Sequence, residues 1–363
     1  AAAISQPETQ WVCAEDCKER ERRHGPNEAV SGRALLRRCP VSPGVDIMTD
    51  QQVLIIGGGI GGLTAALALA QRGIGVEVVE KEVTVGGHAA RLSCKALDRC
   101  VKCGACLAAQ TIAAAGTHSR IQLHTNCRVS DLRRGRRYAY TIEPRAREEA
   151  SARPTPAEAD AVVLATGFRT FDPAGKPYGY GLFPDVITNL ELEGLLSSGR
   201  RVLRPSNGAE PSRMAFIQCV GSRDAALGHL WCSAFCCAAA VRAARLLKRR
   251  QPALEITIFY IDIQNFGRDF ESVYTQACRE IRFVRAIPAD AVRQETGRLH
   301  LCWLDDGSRT PVEEDFDLLV LSTGMTPRPE TGDLAEAIGL NRPGNGFLGH
   351  GPPEAHGAFV AGT

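Results

Sequence analysis

The pattern of apolar and polar residues predicts a strand–helix–strand unit near residue 50. Residues 53–57 form an apolar run, as expected for a strand that is buried on both faces. Residues 63–72 have the spacing of an amphipathic helix that stops at Gly73, and residues 76–80 form a second apolar run. A strand, a turn, a helix and a strand in this order predict a βαβ unit of a parallel sheet.

Strand and helix patterns alternate along the rest of the chain. Further strands are predicted at 161–166, 214–219, 256–263 and 317–323, and helices at about 238–249 and 271–280. A β-meander is predicted across 298–312, and a hairpin tip or loop at 141–160. This alternation predicts an α/β fold in which a second α/β domain is inserted into the first.

Residues 1–47 have a different pattern. They are charged, aperiodic and interrupted by Pro and Gly, which predicts a poorly ordered tail. Cys13, Cys17 and Cys39 lie here without a usable fourth metal ligand. Met48 lies shortly before the first strand and is interpreted as a candidate start of the native chain.

Composition narrows the function classes. The chain has 363 residues, 44% of them hydrophobic and 23% charged, which is typical of a soluble globular protein. A net charge of +2 provides no strong field for nucleic acid or anionic lipid. Neither a membrane-spanning apolar run nor a secretory signal pattern is evident, so we expect a cytoplasmic protein without a membrane span.

Three glycines after the first strand predict a bound dinucleotide. Gly57 permits a tight turn, Gly59 permits close approach of a pyrophosphate, and Gly62 permits close packing of the helix on the strand. The helix N-terminus then presents unpaired N–H groups to the phosphates. Glu80 ends the second strand, where its carboxylate is placed to accept hydrogen bonds from a ribose. By themselves these residues fit NAD or FAD.

Cysteine supplies the second chemical signal. The 14 cysteines include two tight groups, one at 94–106 and one at 219–237. In a long chain with nucleotide-binding patterns, clustered thiols favour metal binding over a secreted disulfide framework. Four thiolates suit zinc or an iron–sulfur cluster. A flavin beside such a cluster predicts electron transfer.

Three motifs resemble those of flavoproteins with two dinucleotide-binding domains. The run from Glu80 to Gly87 resembles their glycine pair near the FAD pyrophosphate. The ATG run at 165–167 resembles the motif at which the chain leaves their flavin domain. The FVAGT run at 359–363 resembles their late FAD motif. The resemblance therefore implies FAD and a Rossmann-like FAD domain. The FAD contacts that it implies are Lys81, Gly86, Gly87, His88, Val129, Thr166, Gly167 and Gly362.

One of these contacts stays open between two interpretations. His88 stands where many relatives carry Arg, so it either touches phosphate or packs against the protein. The second domain of that family normally repeats the glycine fingerprint for NAD(P)H. Here the corresponding strand ends in FIQCVGSRD, without the glycine triplet. A nicotinamide site of the usual kind is therefore not expected.

The second cysteine group carries a more specific resemblance. The runs QCVGSRD, WCSAFCC and ITIFYIDIQNFGRDFESVY resemble the A subunit of heterodisulfide reductase, and the resemblance covers roughly residues 50–363. It implies a 4Fe–4S cluster close to the flavin. The ligands that it implies are Cys219, Cys232, Cys236 and Cys237. Zinc, a disulfide and ordinary packing remain alternatives for these thiols.

The first cysteine group consists of Cys94, Cys100, Cys103 and Cys106. Its C-x2-C-x2-C spacing is the core of a bacterial ferredoxin motif, whose fourth ligand would be Cys94 or Cys127. Three interpretations stay open, namely a second cluster, a thiol relay or disulfide, and inert thiols. Cys278, Cys302 and His124 are interpreted as structural residues.

Arg242 is a candidate catalytic residue. It follows Cys237 by five residues, where relatives often carry Lys near the flavin ring. A cation there would stabilise an anionic reduced flavin. Arg keeps the charge without the proton-transfer ability of Lys, which argues against carrying over flavin-based electron bifurcation.

These patterns predict an electron-transfer component of a heterodisulfide reductase-like complex. The predicted domains are a tail at 1–47, an FAD-binding domain at 48–210, a second α/β domain with the iron–sulfur site at 211–312, and a return to the FAD-binding domain at 313–363. We expect other subunits, an electron carrier protein or NAD as partners, and a homodimer. The chain ends inside the late FAD motif, which suggests a fragment with weakened flavin binding.

Two other functions remain as alternatives. One is a free-standing NAD(P)H-dependent flavin disulfide reductase that uses Cys94 and Cys100, and the other is a zinc-stabilised nucleotide-binding scaffold without catalysis.

Overall fold

The computed structural model describes residues 51–97, 100–101, 103–145, 154–264, 270–340, 343–349 and 357–362. The predicted tail at 1–47, Met48 and Thr363 lie outside the described residues. The chain divides into two compact units. The first unit contains the described residues of 51–94, 104–170 and 325–362. The second unit contains the described residues of 95–103 and 171–324.

The helices and strands alternate along the chain. The helices are α1 (Ile60–Ala70), α2 (Ala105–Thr117), α3 (Asn189–Ser197), α4 (Cys236–Arg250), α5 (Phe270–Ala277) and α6 (Thr331–Ala337). The strands are β1 (Gln52–Ile56), β2 (Gly75–Val79), β3 (Ile121–His124), β4 (Cys127–Arg134), β5 (Tyr138–Pro144), β6 (Thr155–Ala159), β7 (Ala161–Leu164), β8 (Phe168–Thr170), β9 (Val186–Thr188), β10 (Arg213–Val220), β11 (Glu255–Phe259), β12 (Arg282–Val284), β13 (Ala291–Arg293), β14 (Leu299–Leu304), β15 (Pro311–Phe316), β16 (Leu318–Thr323), β17 (Met325–Pro327) and β18 (Ala358–Val360).

The first unit is built on a five-stranded sheet with the order β18-β7-β1-β2-β3, in which every pair is parallel. One face of the sheet packs against α1, where Leu63 and Ala66 share a core with Ile55 and Val78. The other face packs against the antiparallel sheet β4-β5-β6 and against α6. The predicted βαβ unit is present as β1-α1-β2.

The second unit repeats this plan. Its parallel sheet has the order β12-β11-β10-β16-β9, and a βαβ unit runs through β10, α4 and β11. One sheet face packs against α4, and the other packs near the antiparallel sheet β13-β14-β15. The predicted α/β class, with two Rossmann-like units, is therefore confirmed. No helix of the described residues is long and apolar enough to cross a bilayer.

The division between the units differs in place from the boundaries expected from the sequence. The chain passes between units at Thr170/Phe171 and at Gly324/Met325, instead of near 210 and 312. The described residues of 95–103 also belong to the second unit. Sequence patterns mark strands and loops but do not show which sheet a strand joins.

The hydrogen-bonded carboxylate of Asp317 stabilises the second unit, and its contribution can be tested. Its carboxylate accepts hydrogen bonds from Ser212 N (2.8 Å), Ser212 Oγ (2.6 Å), Arg213 N (2.9 Å) and Arg298 Nε (3.2 Å). Burial alone would raise the pKa of Asp317, but these bonds outweigh it and lower the pKa to about 2. The carboxylate therefore stabilises the folded state above its unfolded pKa of about 3.9, and this stabilisation is lost as the pH falls towards 2.

We expect Asp317→Asn to lower the free energy of unfolding by about 2–3 kcal/mol at pH 7, because buried donors lose a charged acceptor. Urea unfolding at several pH values measures this difference, which should shrink as the pH falls below about 4. Asp290→Asn is the control, since Asp290 is exposed. An equal loss at pH 7 and at pH 2.5 would contradict the assignment.

Candidate functional site

In the glycine-rich turn after β1, two glycines are required because a side chain at either position would clash with the backbone. Gly57 has a φ of +112°, and a Cβ there would lie 2.2 Å from the carbonyl oxygen of Ala165. A Cβ on Gly62 would lie 2.1 Å from the carbonyl oxygen of Gly57. Both positions therefore accept only glycine, for the tight turn and the close helix–strand packing that the sequence predicts.

Gly59 is different, because the protein itself does not require a glycine there. Its φ is −70°, and a Cβ on it would meet no atom of the described residues within 4 Å. Gly59 is the N-cap of α1 and provides no side-chain cap. Open space at an uncapped helix N-terminus suits the approach of a pyrophosphate.

Glu80 braces this turn. Its side chain is buried, and its Oε2 accepts the N–H of Gly58 at 2.7 Å while its Oε1 accepts the N–H of Glu82 at 2.9 Å. Each carboxylate oxygen has a second lone pair, so these bonds leave capacity for ribose hydroxyls. Glu80 can therefore position the loop and still bind a nucleotide.

The glycine pair closes on the same turn. Gly86 and Gly87 have φ values of +105° and +55°, and the N–H of Gly86 donates to the carbonyl of Gly58 at 2.7 Å. A Cβ on Gly87 would lie 3.3 Å from the Cα of Gly59. The Gly86–Gly87 pair therefore contacts the glycine-rich turn at Gly58 and Gly59. Because none of these residues has a side chain, their backbone N–H groups stay accessible to phosphate oxygens.

The first unit also places the later FAD motifs at its carboxyl edge. A cleft opens beside the ATG run at 165–167. Gly362 lies close to the glycine-rich turn, since a Cβ on Gly61 would lie 3.2 Å from its Cα. The cleft is lined by Leu164, Thr166, Gly167, Pro327, Arg328, Thr331, Gly346, Phe347, Leu348 and Val360.

Two candidate contacts have protein partners. The Lys81 ammonium pairs with Glu330, and the hydrogen bond from Lys81 is the main cause that lowers the pKa of Glu330 to about 2. The hydroxyls of Thr166 and Thr331 are hydrogen-bonded at 2.9 Å. Val129 is half-buried on β4 and packs against the core of the first unit.

His88 packs against the protein in this structure. Its ring stacks on Phe168 with centroids 4.5 Å apart, and its Nε2 lies 3.2 Å from the Phe168 carbonyl oxygen. Burial lowers the pKa of His88, which favours the neutral ring. Of the two interpretations left open by the sequence, packing is the one that these contacts support.

In the second unit, Cys219 lies at an irregularity of β10. The register against β16 shifts between Ile217 and Val220, and Cys219 has a φ of +61°. This conformation is strained for a residue with a side chain. Bulges with such strain often re-aim side chains at functional sites.

A hairpin brings Cys232 back towards Cys219. The backbone N–H of Arg223 donates to Trp231 O at 3.0 Å, and Asp224 and His229 exchange two further backbone bonds. The hydroxyls of Ser222 and Ser233 are hydrogen-bonded at 2.6 Å in the interior. The residues after Cys219 and around Cys232 are therefore tied together, and no sequence pattern had indicated a role for either serine.

Cys236 and Cys237 open helix α4. Both side chains are buried. The Sγ of Cys236 lies 3.8 Å from the carbonyl oxygen of Thr323, and the Sγ of Cys237 lies 3.8 Å from that of Asp262. A helix N-terminus favours negative charge, so thiolates here would be stabilised by the helix dipole.

The four thiols lie within electrostatic reach of one another. The pKa of Cys219 is raised to about 12, mainly by burial and to a smaller extent by Cys237 and Cys232. Burial and then the neighbouring cysteines also raise the pKa of Cys236. In the described part of the chain, no three or more His, Cys, Asp or Glu side chains are arranged so that they could hold a metal ion. The type of ligand is nevertheless the one that iron–sulfur clusters take, because four neighbouring cysteines lie at a strand end and a helix start.

Arg223 adds a cation beside these thiols. Its guanidinium forms an ion pair with Asp262, and it lowers the pKa of Cys219, against the effect of burial. Arg223 lies in the VGSRD run that follows Cys219. The hairpin brings Arg223 close to the thiols, so the sequence pattern did not reveal this proximity.

The first cysteine group is divided by the fold. Cys94 and Cys106 belong to the first unit, while Cys100 and Cys103 belong to the second unit. In the second unit the N–H of Lys95 donates to the Sγ of Cys103 at 3.4 Å. The structure therefore does not gather the four cysteines into one compact unit.

Arg242 contacts the segment that carries Cys100 and Cys103. Its Nε donates to the carbonyl of Val101 at 3.1 Å, and its guanidinium lies 5.4 Å from the ring centroid of Phe270. Burial lowers the pKa of Arg242. Within the second unit, Arg242 thus positions a loop, while its expected role at a flavin stays a prediction.

Cys278, Cys302 and His124, which were interpreted from the sequence as structural, lie in the core or on strands. Cys278 packs against the core around α4, and Cys302 lies on β14. His124 ends β3, with its Nε2 3.7 Å from Glu77 Oε1.

Comparison with known proteins identifies similar chains. Residues 51–196 match the family model described as pyridine nucleotide-disulphide oxidoreductase. The chain is 30% identical to the A subunit of the ferredoxin/F(420)H(2)-dependent CoB-CoM heterodisulfide reductase of Methanosarcina acetivorans, over 86% of this chain and 50% of that protein. It is 31% identical to the iron-sulfur A subunit of the CoB–CoM heterodisulfide reductase of Methanocaldococcus jannaschii, over 88% of this chain and 61% of that protein.

Solved structures agree on the fold. The thioredoxin reductase of Lactococcus lactis matches with a TM-score of 0.55 and 16% identity, over 85% of this chain and 89% of that chain. At this identity the match supports the fold alone. The chain spans about half to three fifths of the length of the two curated relatives.

Proposed function

We propose that this chain, which is similar to the heterodisulfide reductase A subunits and has the fold of flavin-dependent disulfide oxidoreductases, is an FAD- and iron–sulfur-containing electron-transfer subunit of a heterodisulfide reductase-like complex. One observation carries the proposal. In the second unit, Cys219 is the penultimate residue of β10, and Cys236 with Cys237 opens α4. In the first unit, the glycine fingerprint lies between the end of β1 and the start of α1.

The first unit would hold the FAD. Gly57, Gly59 and Gly62 would let the turn approach the pyrophosphate, and Gly86 with Gly87 would close it from the other side. Glu80 would accept hydrogen bonds from the ribose. When bound, a flavin supplies the ability to take up and release electrons in pairs or one at a time.

The second unit would hold a 4Fe–4S cluster through Cys219, Cys232, Cys236 and Cys237. When bound, such a cluster supplies one-electron chemistry, with a potential set by burial and hydrogen bonds. The protein's own contribution is to keep the thiols ordered. The strained bulge, the Ser222–Ser233 hydrogen bond and the start of α4 do this.

The wider assignments follow the resemblance. We propose a cytoplasmic protein that works in sulfur or thiol metabolism with other subunits and with an electron carrier protein or NAD, as a homodimer. The disulfide substrate would bind elsewhere in the complex. For Cys94, Cys100, Cys103 and Cys106, the alternatives are a second cluster, a thiol relay or disulfide, and inert thiols, and iron analysis separates the first from the other two.

Anaerobic purification followed by absorption spectroscopy and metal analysis tests the proposal. We expect flavin bands together with a broad cluster absorption, and about four iron atoms per chain, or about eight if a second cluster is present. Iron-free flavoprotein that reduces a dithiol substrate with NAD(P)H would support the free-standing disulfide reductase instead. Colourless protein with bound zinc would support the scaffold.

A further inference from the structure

Two polar side chains in the second unit are fully buried without hydrogen-bond partners among the described residues. Gln218 and Ser322 are each 1% exposed. Both amide atoms of Gln218 and the hydroxyl of Ser322 are unpartnered. Buried polar groups are nearly always paired in native proteins, because an unmade hydrogen bond costs free energy. The Nε2 of Gln218 and the hydroxyl of Ser322 can therefore donate to a bound group that accepts hydrogen bonds.

These two side chains are neighbours across the bulge of β10. Strands β10 and β16 pair in register up to Ile217 and Leu321, and again at Val220 and Thr323. Gln218 and Cys219 therefore stand opposite Ser322, and the positive φ of Cys219 absorbs the extra residue. The bulge that re-aims Cys219 thus also places an amide and a hydroxyl side by side.

The face of the sheet that carries Gln218 and Ser322 is the face covered by α4. Met214, Phe216, Leu318 and Val320 alternate with residues of the opposite face, and they share one core with α4. Gln218 and Ser322 continue this alternation by one step on each strand. In a βαβ unit the helix runs back over the sheet, so its first turn lies above the carboxyl ends of the strands.

One contact locates the first turn of α4 directly. The Sγ of Cys236 lies 3.8 Å from the carbonyl oxygen of Thr323, which follows Ser322 on β16. The unpartnered amide and hydroxyl therefore lie at the strand ends beneath the start of α4, next to the bulge with Cys219. Four thiolates and their cluster would bring buried negative charge and sulfur acceptors to this place.

We propose that Gln218 and Ser322 are hydrogen-bond donors to the iron–sulfur group held by the four cysteines, and that the Gln218 amide raises its reduction potential. This inference rests on the proposed function. Reduction adds one electron and hence one negative charge, so a fixed N–H donor stabilises the reduced form more than the oxidised form. In a buried site the effect is large because the local dielectric is low.

The test uses anaerobically purified, iron-loaded protein titrated with dithionite as the electron donor and followed by EPR. In Gln218→Leu the N–H donors are lost at similar side-chain size. At the wild-type midpoint potential, we expect the ratio of reduced to oxidised cluster to fall by about threefold to tenfold, with iron content unchanged. Ser322→Ala should shift the ratio in the same direction by less, and it provides the measurement if Gln218→Leu does not fold.

Gln251→Leu is the matched control. Gln251 is also buried in the second unit, but its amide is hydrogen-bonded to the backbone of Val202 through both Oε1 and Nε2. Gln251→Leu should unfold at a lower temperature than the wild type and have the wild-type reduction potential. Gln218→Leu should have a lower reduction potential, while its cluster-free form should unfold at the wild-type temperature.

The outcomes separate the inference from the function on which it rests. If wild-type protein binds no iron, both fail. If wild-type protein binds iron and the potential of Gln218→Leu equals the wild-type potential, the inference alone fails, and a buried water then satisfies the amide. A shift of equal size in Gln251→Leu would also overturn it, because the effect would not be local.

Discussion

Replacement of Cys232 by serine is expected to remove most of the iron from this protein. Cys232 is exposed, so the change leaves no cavity in the core. A cluster ligated by four cysteines that loses one thiolate is expected to fall from about four iron atoms per chain to fewer than one. Metal analysis and the visible spectrum of anaerobically purified protein measure the loss.

The matched control is Cys302→Ser. Cys302 is a half-buried cysteine of the same unit on β14, in a different sheet from β10. Its replacement should leave iron content and flavin content at wild-type values. Retention of the full iron content in Cys232→Ser would contradict the proposed ligand set. Loss of iron in both variants would indicate general instability of the second unit.

Gly59→Ala is expected to weaken FAD binding by about 10- to 100-fold without unfolding the protein. The alanine methyl group meets no atom of the described residues within 4 Å, and the φ of −70° is allowed for alanine. The methyl group would instead occupy the space in which a pyrophosphate approaches the start of α1. Equilibrium titration of flavin-free protein with FAD measures the change in the dissociation constant.

Two other glycines complete this test. Gly116→Ala lies in α2, where a Cβ also meets no described atom within 4 Å, and it should bind FAD normally with slightly raised stability. Gly57→Ala should destabilise the fold itself, because its Cβ would overlap the carbonyl of Ala165. Equal FAD affinity in Gly59→Ala and wild type would refute a pyrophosphate at this turn.

Much of the fold follows from local sequence patterns. The apolar runs that became β1, β7, β10 and β16 are readable because parallel strands buried on both faces tolerate almost no polar residue. The glycine fingerprint is readable because backbone conformation and close packing exclude other residues at Gly57 and Gly62. The predicted strand at 256–263 was too long, since β11 ends at Phe259.

The site was only partly predictable. Cysteine spacing predicts a shared ligand set, because the side-chain type and the turn positions are local properties. The hairpin from Arg223 to Trp231, which ties Cys232 to Cys219, does not appear in any local pattern. The role of Arg242 at a flavin stays a prediction, while its hydrogen bond to the carbonyl of Val101, across 141 residues, has no local signal in the sequence.

The sequence by itself determined that this chain forms two βαβ units, the first with a glycine turn and the second with cysteines in its place. These features depend on residues within one turn or one strand of each other. Only the tertiary structure decided that Cys100 and Cys103 join a different unit from Cys94 and Cys106, and that Gln218 lies beside Ser322 beneath α4. Such neighbours are set by strand order, register and packing between segments about a hundred residues apart, and no local periodicity encodes them.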